Sequence, residues 1–383
     1  MVARTAATAA LILTMAPRRC FADYAARPNV AVFGSGALGL LYGGRLQEGG
    51  GANVHFLCRR DYDRLQSSGF KIISKDGDYS YRDSGSKSSV FHNCASSVRK
   101  STGEIDFLIL ALKSYSLSSV APVIRELVTP KRTRVIALMN GYGLESDIRE
   151  WIGDDTSIFG AMAFVCANRQ STYAVDEPVT INHLAYGALN IGHFGNCATE
   201  LADVKRLWSC CKIADDVKVV SSLQAERWKK LCWNIPYNGL SVANGGITTE
   251  VICKNPHLRE YADRIMQQVI EVANLDLASA DSEERIDGAE MRSRMWHLTD
   301  NMGPYRTSAA IDLVAGREIE MKYLFTNVLE RVRYFEKQER RDFSYLVSVL
   351  LQVHAMGDMA ALYRRSDRNW SPVDPDFSSS PGM

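Results

Sequence analysis

Lys230, Asn234 and Asn238 recur at intervals of four in a largely apolar stretch running from Leu223 to Ala243. On an α-helix each interval turns about 400°, a drift of only about 40° per step, so the three polar heads share one face. One ammonium and two amides on such a stripe can hand over a proton and hold the oxygens of a small polar molecule. Buried without partners they would be costly, so they either satisfy one another, line a cavity or form a solvated stripe. Lys229, beside Lys230, keeps that last reading open. Further on, Ser308 and Asp312 share a face at i and i+4. Glu320 would fall about 120° away on an unbroken helix. Gly316 is expected to end that helix, so that a new one starts near Arg317 and re-aims Glu320.

A second centre of chemistry lies near the N-terminus. Gly34-Ser35-Gly36-Ala37-Leu38-Gly39 fits GxGxxG between an apolar run, Asn29 to Phe33, and a helically spaced segment, Leu38 to Leu46. There Gly34 permits a tight turn, Gly36 lets backbone approach a pyrophosphate, and Gly39 allows close helix–strand contact, while the helix N-terminus presents free amides to the anion. A glycine turn with no ligand is the alternative. A further apolar run, Ala52 to Cys58, completes a strand–helix–strand unit and ends in Arg59 and Arg60. An acid at the end of this strand binds a ribose 2′-hydroxyl, whereas an arginine accommodates a 2′-phosphate. The arginines therefore favour NADP(H) over NAD, with solvated surface charge as the other reading; Asp61, just beyond, keeps NAD open.

These residues need a scaffold, and the chain is long enough to supply one. With 383 residues, two to three domains are expected; 46% hydrophobic and 23% charged residues exclude a disordered chain and point to a soluble globular one. The net charge of +1 provides no global field for nucleic acid. Nine cysteines without a CxxC pair or zinc spacing imply no metal and a reducing compartment; Cys210 and Cys211 are read as two reduced thiols in a helix. No apolar run of membrane-spanning length is found, Ala9 to Met15 being the longest candidate, so no membrane span is expected.

The predicted order is α/β, an N-terminal Rossmann doubly wound sheet followed by an all-helical C-terminal domain. Strands are predicted over Ile105 to Leu112 and Arg134 to Met139, with a helix near Ser118 to Val128 between them. Asp76-Gly77 predicts a hairpin, and the serine-rich stretch from Ser84 to Ser101 a loop. Long amphipathic helices are expected near Leu201 to Ile213, Leu223 to Ala243, Leu258 to Leu277, Glu318 to Phe335 and Phe343 to Tyr363. The domain limits that follow are a targeting extension 1–27, a nucleotide-binding domain 28–197, a helical substrate domain 198–365 and a disordered tail 366–383. Residues 1–27 are rich in Ala, Thr and Arg, with Asp23 the only acid, the composition of a transit peptide to mitochondrion or plastid; a secretory signal or a plain extension, with a cytoplasmic protein, are the alternatives.

Five blocks, GSGALG, ALKSYSL, MNGYGLE, ERWKKLCWNIPYNGLSVA and YRTSAAIDLVAGREIE, occur in an order and spacing that resemble the ketopantoate reductases, over about residues 28 to 330. The resemblance implies NADPH-dependent reduction of a 2-keto acid, ketopantoate to pantoate on the route to pantothenate and coenzyme A. It also implies that Lys113 and Asn140 line the cofactor cleft. Lys230 matches the general acid, Asn234 and Asn238 the substrate-binding asparagines, and Ser308, Asp312 and Glu320 the C-terminal active-site block. In this reading Ser308 donates to the substrate carboxylate, Asn140 helps fix the remaining oxygens, and Glu320 orients the ammonium or a substrate hydroxyl. Departures fall on the substrate side: Gly239 follows Asn238 where the family has proline, Pro236 is expected to kink the helix, and Met321-Lys322 and Phe325-Thr326 replace Ile-Asp and Asn-Gly. A different 2-keto acid, a larger hydroxy acid, or an NADP(H)-holding sensor without turnover are the rival readings, and a homodimer is an expectation.

Overall fold

The structure, a computed structural model, describes residues 27–83, 89–170 and 176–365. The expected targeting segment (but for residue 27), the expected tail and residues 84–88 of the serine-rich stretch lie outside the described residues.

In chain order, β1 (Asn29–Phe33), α1 (Ala37–Gly49) and β2 (Asn53–Leu57) form the first crossover unit. Next come α2 (Tyr62–Ser68), the hairpin β3 (Phe70–Ser74) and β4 (Tyr79–Tyr81), then β5 (Phe91–His92), α3 (Ala95–Thr102) and β6 (Phe107–Leu110). After these follow α4 (Ala121–Leu127), β7 (Arg134–Ala137), α5 (Leu144–Ile152) and a long pair, β8 (Ile158–Arg169) and β9 (Val179–His193). α6 (Ala198–Leu207) and β10 (Val217–Val220) close the first lobe.

All ten strands join one sheet in the order β4-β3-β9-β8-β7-β6-β1-β2-β5, with β10 beside β9. From β5 to β8 every pairing is parallel; β8 and β9 are antiparallel. The central strands are buried on both faces, which is why they read as unbroken apolar runs. Alternation sends Val30 and Val32 of β1, with Phe107 and Ile109 of β6, into one core. Their neighbours Ala31, Phe33, Leu108 and Leu110 enter the other.

The second lobe is helical: α7 (Leu223–Ala243), α8 (Thr249–Lys254), α9 (Pro256–Ser279), α10 (Gly288–Asp300), α11 (Ser308–Val314), a π-helical turn (Lys322–Thr326), α12 (Asn327–Glu339) and α13 (Ser344–Arg365). α7 is its axis. The Ser222 hydroxyl caps its start by accepting from the Ala225 amide, and most of its length is buried against the surrounding helices.

Several expectations are corrected. Residues 95–101, expected as loop, lie in α3, because burying Ala95 and Val98 against the sheet outweighs a poor helix-forming composition. α6 stops at Leu207, and β10 rejoins the sheet, so not everything beyond residue 198 is helical. Cys210 and Cys211 therefore lie in a turn; Cys211 is a buried free thiol, but Cys210 is disulfide-bonded rather than reduced. α7 itself has the expected span, Leu223–Ala243, with Pro236 inside it. The long pair β8–β9 and helix α10 have no counterpart among the expected elements. Residues Ser344–Arg364 of α13 are long and apolar enough to cross a membrane by length and composition, which the search for apolar runs missed; a third of that stretch is buried within the fold.

Candidate active site

The glycine loop links β1 to α1. Gly34 has φ +120°, and a Cβ there would stand 2.3 Å from the Ala111 carbonyl oxygen, so only glycine lets β1 and the end of β6 approach. Gly39 is as crowded: its Cβ would meet the Gly34 carbonyl oxygen at 2.0 Å. Gly36 differs, because a Cβ there would meet nothing within 4 Å. It precedes α1, and the amides of that helix's first turn, Ala37 and Leu38 among them, have no capping side chain. Crowded glycines on either side of an open one make a backbone cradle that fits a dinucleotide pyrophosphate. Gly36→Ala is therefore expected to keep the melting temperature while weakening cofactor binding about ten-fold or more, read by fluorescence titration. Gly34→Ala should instead lower the melting temperature itself.

Ser35 does more than fill the loop: its hydroxyl donates to Asp61 at 2.7 Å. Arg59 and Arg60 are solvent-exposed where β2 leaves the sheet.

Lys113 follows β6 and crosses to the helical lobe. Its ammonium donates to Asp312 at 2.6 Å and to Glu320 at 3.2 Å. Burial lowers its pKa, but the carboxylates of Glu320 and Asp312 outweigh that and hold it above the ordinary lysine value. Glu320 also accepts from the Ser114 amide at 2.8 Å, so the ammonium it orients is that of Lys113 and not that of Lys230. Asp312 takes a second cation, accepting from Arg317 at 2.9 Å. The break at Gly316 is present, with φ +65°, but the next helical turn begins at Met321, not Arg317; Glu320 sits in the non-helical link before it.

Lys230 lies on α7, partly buried against β8. It donates to the Ala163 carbonyl at 2.7 Å, and its ammonium stands 4.3 Å from the centre of the Phe164 ring. That carbonyl is open to it because β7 pairs with β8 only as far as Gly160. Among the described residues Lys230 has no carboxylate partner. Burial pushes its pKa down to about 8; the nearby charge of Arg227 lowers it as well, and Cys166 acts in the opposite sense.

One turn on, Asn234 is 4% exposed and its Nδ2 has no partner, the mark of a buried donor awaiting a ligand or water. Its Oδ1 accepts from Asn238 Nδ2 at 3.3 Å. Asn238, expected to touch substrate, is instead engaged by protein: its Oδ1 accepts from the Ala309 amide at 3.0 Å. It thus ties α7 to the start of α11, which carries partly exposed Ser308. Asn140 follows β7 half-exposed, and its loop is anchored by the Tyr142 amide donating to the Tyr323 carbonyl at 2.7 Å. Gly141, with φ +117°, permits this, since its Cβ would strike Tyr323 at 2.6 Å. Of the substrate-side departures, Phe325 is buried in the helical core and Lys322 pairs with Asp147, so neither bulk nor charge is free to enter the cleft from them.

Sequence reasoning missed the groups that hold this frame. Arg227, on the turn before Lys230, donates to Glu145 and to the carbonyls of Ala137 and Met139 at the end of β7. Asp276 accepts from Tyr142, Gln224 and Trp228, each at 2.7 Å, and from Arg331. Arg169 grips Asp61. No local pattern announces these pairings, which join residues 48 to 134 positions apart.

A Rossmann-type lobe with an open glycine cradle, joined to a helical lobe that carries a desolvated lysine and an unpartnered amide, defines a two-domain nucleotide-dependent oxidoreductase. Family comparison is more specific. The model described as ketopantoate reductase PanE/ApbA matches residues 30–196, and that for its C-terminal part matches residues 222–337. The chain belongs to the ketopantoate reductase family, oxidoreductases that act on CH–OH groups. A 2-dehydropantoate 2-reductase of Nostoc sp. is 30% identical over 310 residues, 79% of this chain and 88% of that relative. The crystal structure of 2-dehydropantoate 2-reductase from Geobacter metallireducens superposes with TM-score 0.73 at 28% identity, covering 87% of this chain and 99% of that one. More distant structures share the fold alone: D-mandelate dehydrogenase with NADH and anilino(oxo)acetate at TM-score 0.66 and 18% identity, and dimeric ketopantoate reductase from Staphylococcus aureus at 0.65 and 16%. They cover 87% of this chain and 99% of each neighbour.

Proposed function

We propose that the protein reduces a 2-keto acid to the 2-hydroxy acid with NADP(H), and that ketopantoate, reduced to pantoate for coenzyme A biosynthesis, is its substrate. The observation that carries this reading is Lys230: an ammonium without a carboxylate partner among the described residues, its pKa lowered to about 8, beside the unpartnered Nδ2 of Asn234. Family membership and the Nostoc relative support the choice of substrate. The exposed Arg59 and Arg60, with no free acid at the end of β2, support NADP(H).

When bound, a reduced nicotinamide would supply a hydride to the keto carbon. The residues of this chain manage the charge that develops on oxygen. Lys230 donates a proton to the nascent alkoxide, and its lowered pKa makes the transfer easier than from an ordinary lysine. Asn234 Nδ2 donates to a substrate oxygen, and Ser308 to the carboxylate. Asn238 acts through both, by orienting Asn234 and the start of α11. Glu320 and Asp312 hold Lys113 charged at the rim of the cofactor cleft, where it can meet a ribose or phosphate oxygen. Cradle amides from Ser35 to Leu38 and the side chain of Asn140 complete the cofactor side.

If Lys230 must be protonated, kcat/KM for reduction is retained below its pKa and lost above it. The profile should bend near pH 8 and then fall with a slope of one proton, roughly ten-fold per pH unit. A flat profile from pH 7 to 10 would remove Lys230 from the acid role. Following NADPH absorbance with a panel of 2-keto acids, ketopantoate first, tests cofactor, reaction and substrate together. The fold shared with D-mandelate dehydrogenase supports including aromatic 2-keto acids in that panel. The dimeric Staphylococcus aureus neighbour supports a homodimer, which sedimentation would test.

A further inference from the structure

Asp61 stands where a Rossmann-type fold reads the adenosine ribose, just past the end of β2. A bare carboxylate at that place accepts from a 2′-hydroxyl and repels a 2′-phosphate. Asp61 is not bare. Arg169 forks onto it, one nitrogen on each oxygen, at 2.6 and 2.7 Å, and the Ser35 hydroxyl takes a further lone pair at 2.7 Å. Arg169 also donates to the Ser35 carbonyl at 3.3 Å, so one guanidinium clamps both the acid and the glycine loop. Burial favours the neutral acid, but Arg169 and Ser35 outweigh it, with Arg64 adding a further positive charge, and the carboxyl stays ionised below its ordinary value.

The clamp comes from far away in the chain. Arg169 is the last residue of β8, and the register of β8 against β9 shifts twice, at Phe164/Val165 and at Cys166/Ala167. Such bulges bend a strand and strengthen its twist, and so re-aim the side chains beyond them. Here the re-aimed end of β8 reaches the end of β2, although three strands separate the two in the sheet.

We propose that Arg169 is a specificity-determining positioning residue: by occupying both oxygens of Asp61 it withdraws the acid from the ribose and leaves Arg59 and Arg60 to meet a 2′-phosphate. The inference rests on the NADP(H) reading. Its test is the ratio of NADPH to NADH affinity, by equilibrium titration of the full chain and of Arg169→Met, Asp61→Asn and the double variant. Arg169→Met should lower the preference for NADPH about ten-fold, because an unneutralised carboxylate then faces the phosphate. Removing that charge in the double variant should bring the preference back to within about three-fold of the original. Asp61→Asn alone should not favour NADH.

A preference untouched by Arg169→Met overturns the proposal, as does a double variant no better than Arg169→Met, which would mean that Arg169 itself holds the phosphate. Preference for NADH in the unaltered chain is a different failure, that of the NADP(H) reading. Because the double variant lacks the clamp as well, its recovery separates specificity from loss of structure.

Discussion

Replacing Lys230 with alanine is expected to cut turnover about 100-fold or more while leaving the NADPH dissociation constant within about two-fold of the original. The split follows from where the ammonium sits. Its protein contacts are the Ala163 carbonyl and the face of Phe164, neither of which belongs to the glycine cradle, so removing it leaves the cofactor-binding residues as they are. In the proposed role, what is lost is a proton and a positive charge beside the oxygen that becomes an alkoxide, an interaction much stronger in the transition state than in the ground state. Stability should not suffer. A lysine whose pKa is lowered by burial is held charged at a cost to the fold, and alanine relieves it. Single-turnover absorbance decay, with cofactor fluorescence titration and a melting curve, reads all three quantities. Turnover within a few-fold of the original would require another acid, and with it a different account of the site.

The parts of this site that local sequence reveals are those built by local geometry. The glycine loop is readable because its strand, turn and helix are contiguous, and three polar residues four apart must share a face of α7 whatever surrounds it. What each does is less local. Asn238 looks like a ligand contact by spacing, yet it holds the α11 amide of Ala309, 71 residues away. Glu320 looks like a partner for Lys230, yet the nearer ammonium is Lys113, 207 residues away in sequence. The strands missed in β8 and β9 have the opposite difficulty. From Phe164 onward β8 is half-exposed, so neither a buried apolar run nor a clean alternation marks it, and its strand geometry is set by pairing with β9. The same hairpin supplies the Ala163 carbonyl that holds Lys230 and the Arg169 that clamps Asp61, so the least legible element of the fold carries the partners of both.

The other large effect expected is on stability, at the joint between the lobes. Glu145 on α5 and Arg227 on α7 are both almost completely buried, and Arg227 also donates to the carbonyls of Ala137 and Met139. Gly160 makes room for the pair: a Cβ there would meet the Glu145 carboxylate at 2.4 Å and the Arg227 guanidinium at 2.8 Å. Glu145→Ala leaves a buried guanidinium without its counter-ion, which should cost about 3–5 kcal/mol, read as a lowered urea midpoint with the slope retained. Isosteric Glu145→Gln keeps a hydrogen-bond acceptor and fills the space, and should cost less. Either change should also reach the chemistry. Arg227 lies three residues before Lys230, and its charge already helps to lower the pKa of that lysine. With the neutralising carboxylate gone, the repulsion grows, the protonated form of Lys230 is lost at lower pH, and the alkaline limb of kcat/KM should move towards neutrality. A destabilised Glu145→Gln with an unmoved limb would show that the pair holds the lobes together without tuning the acid.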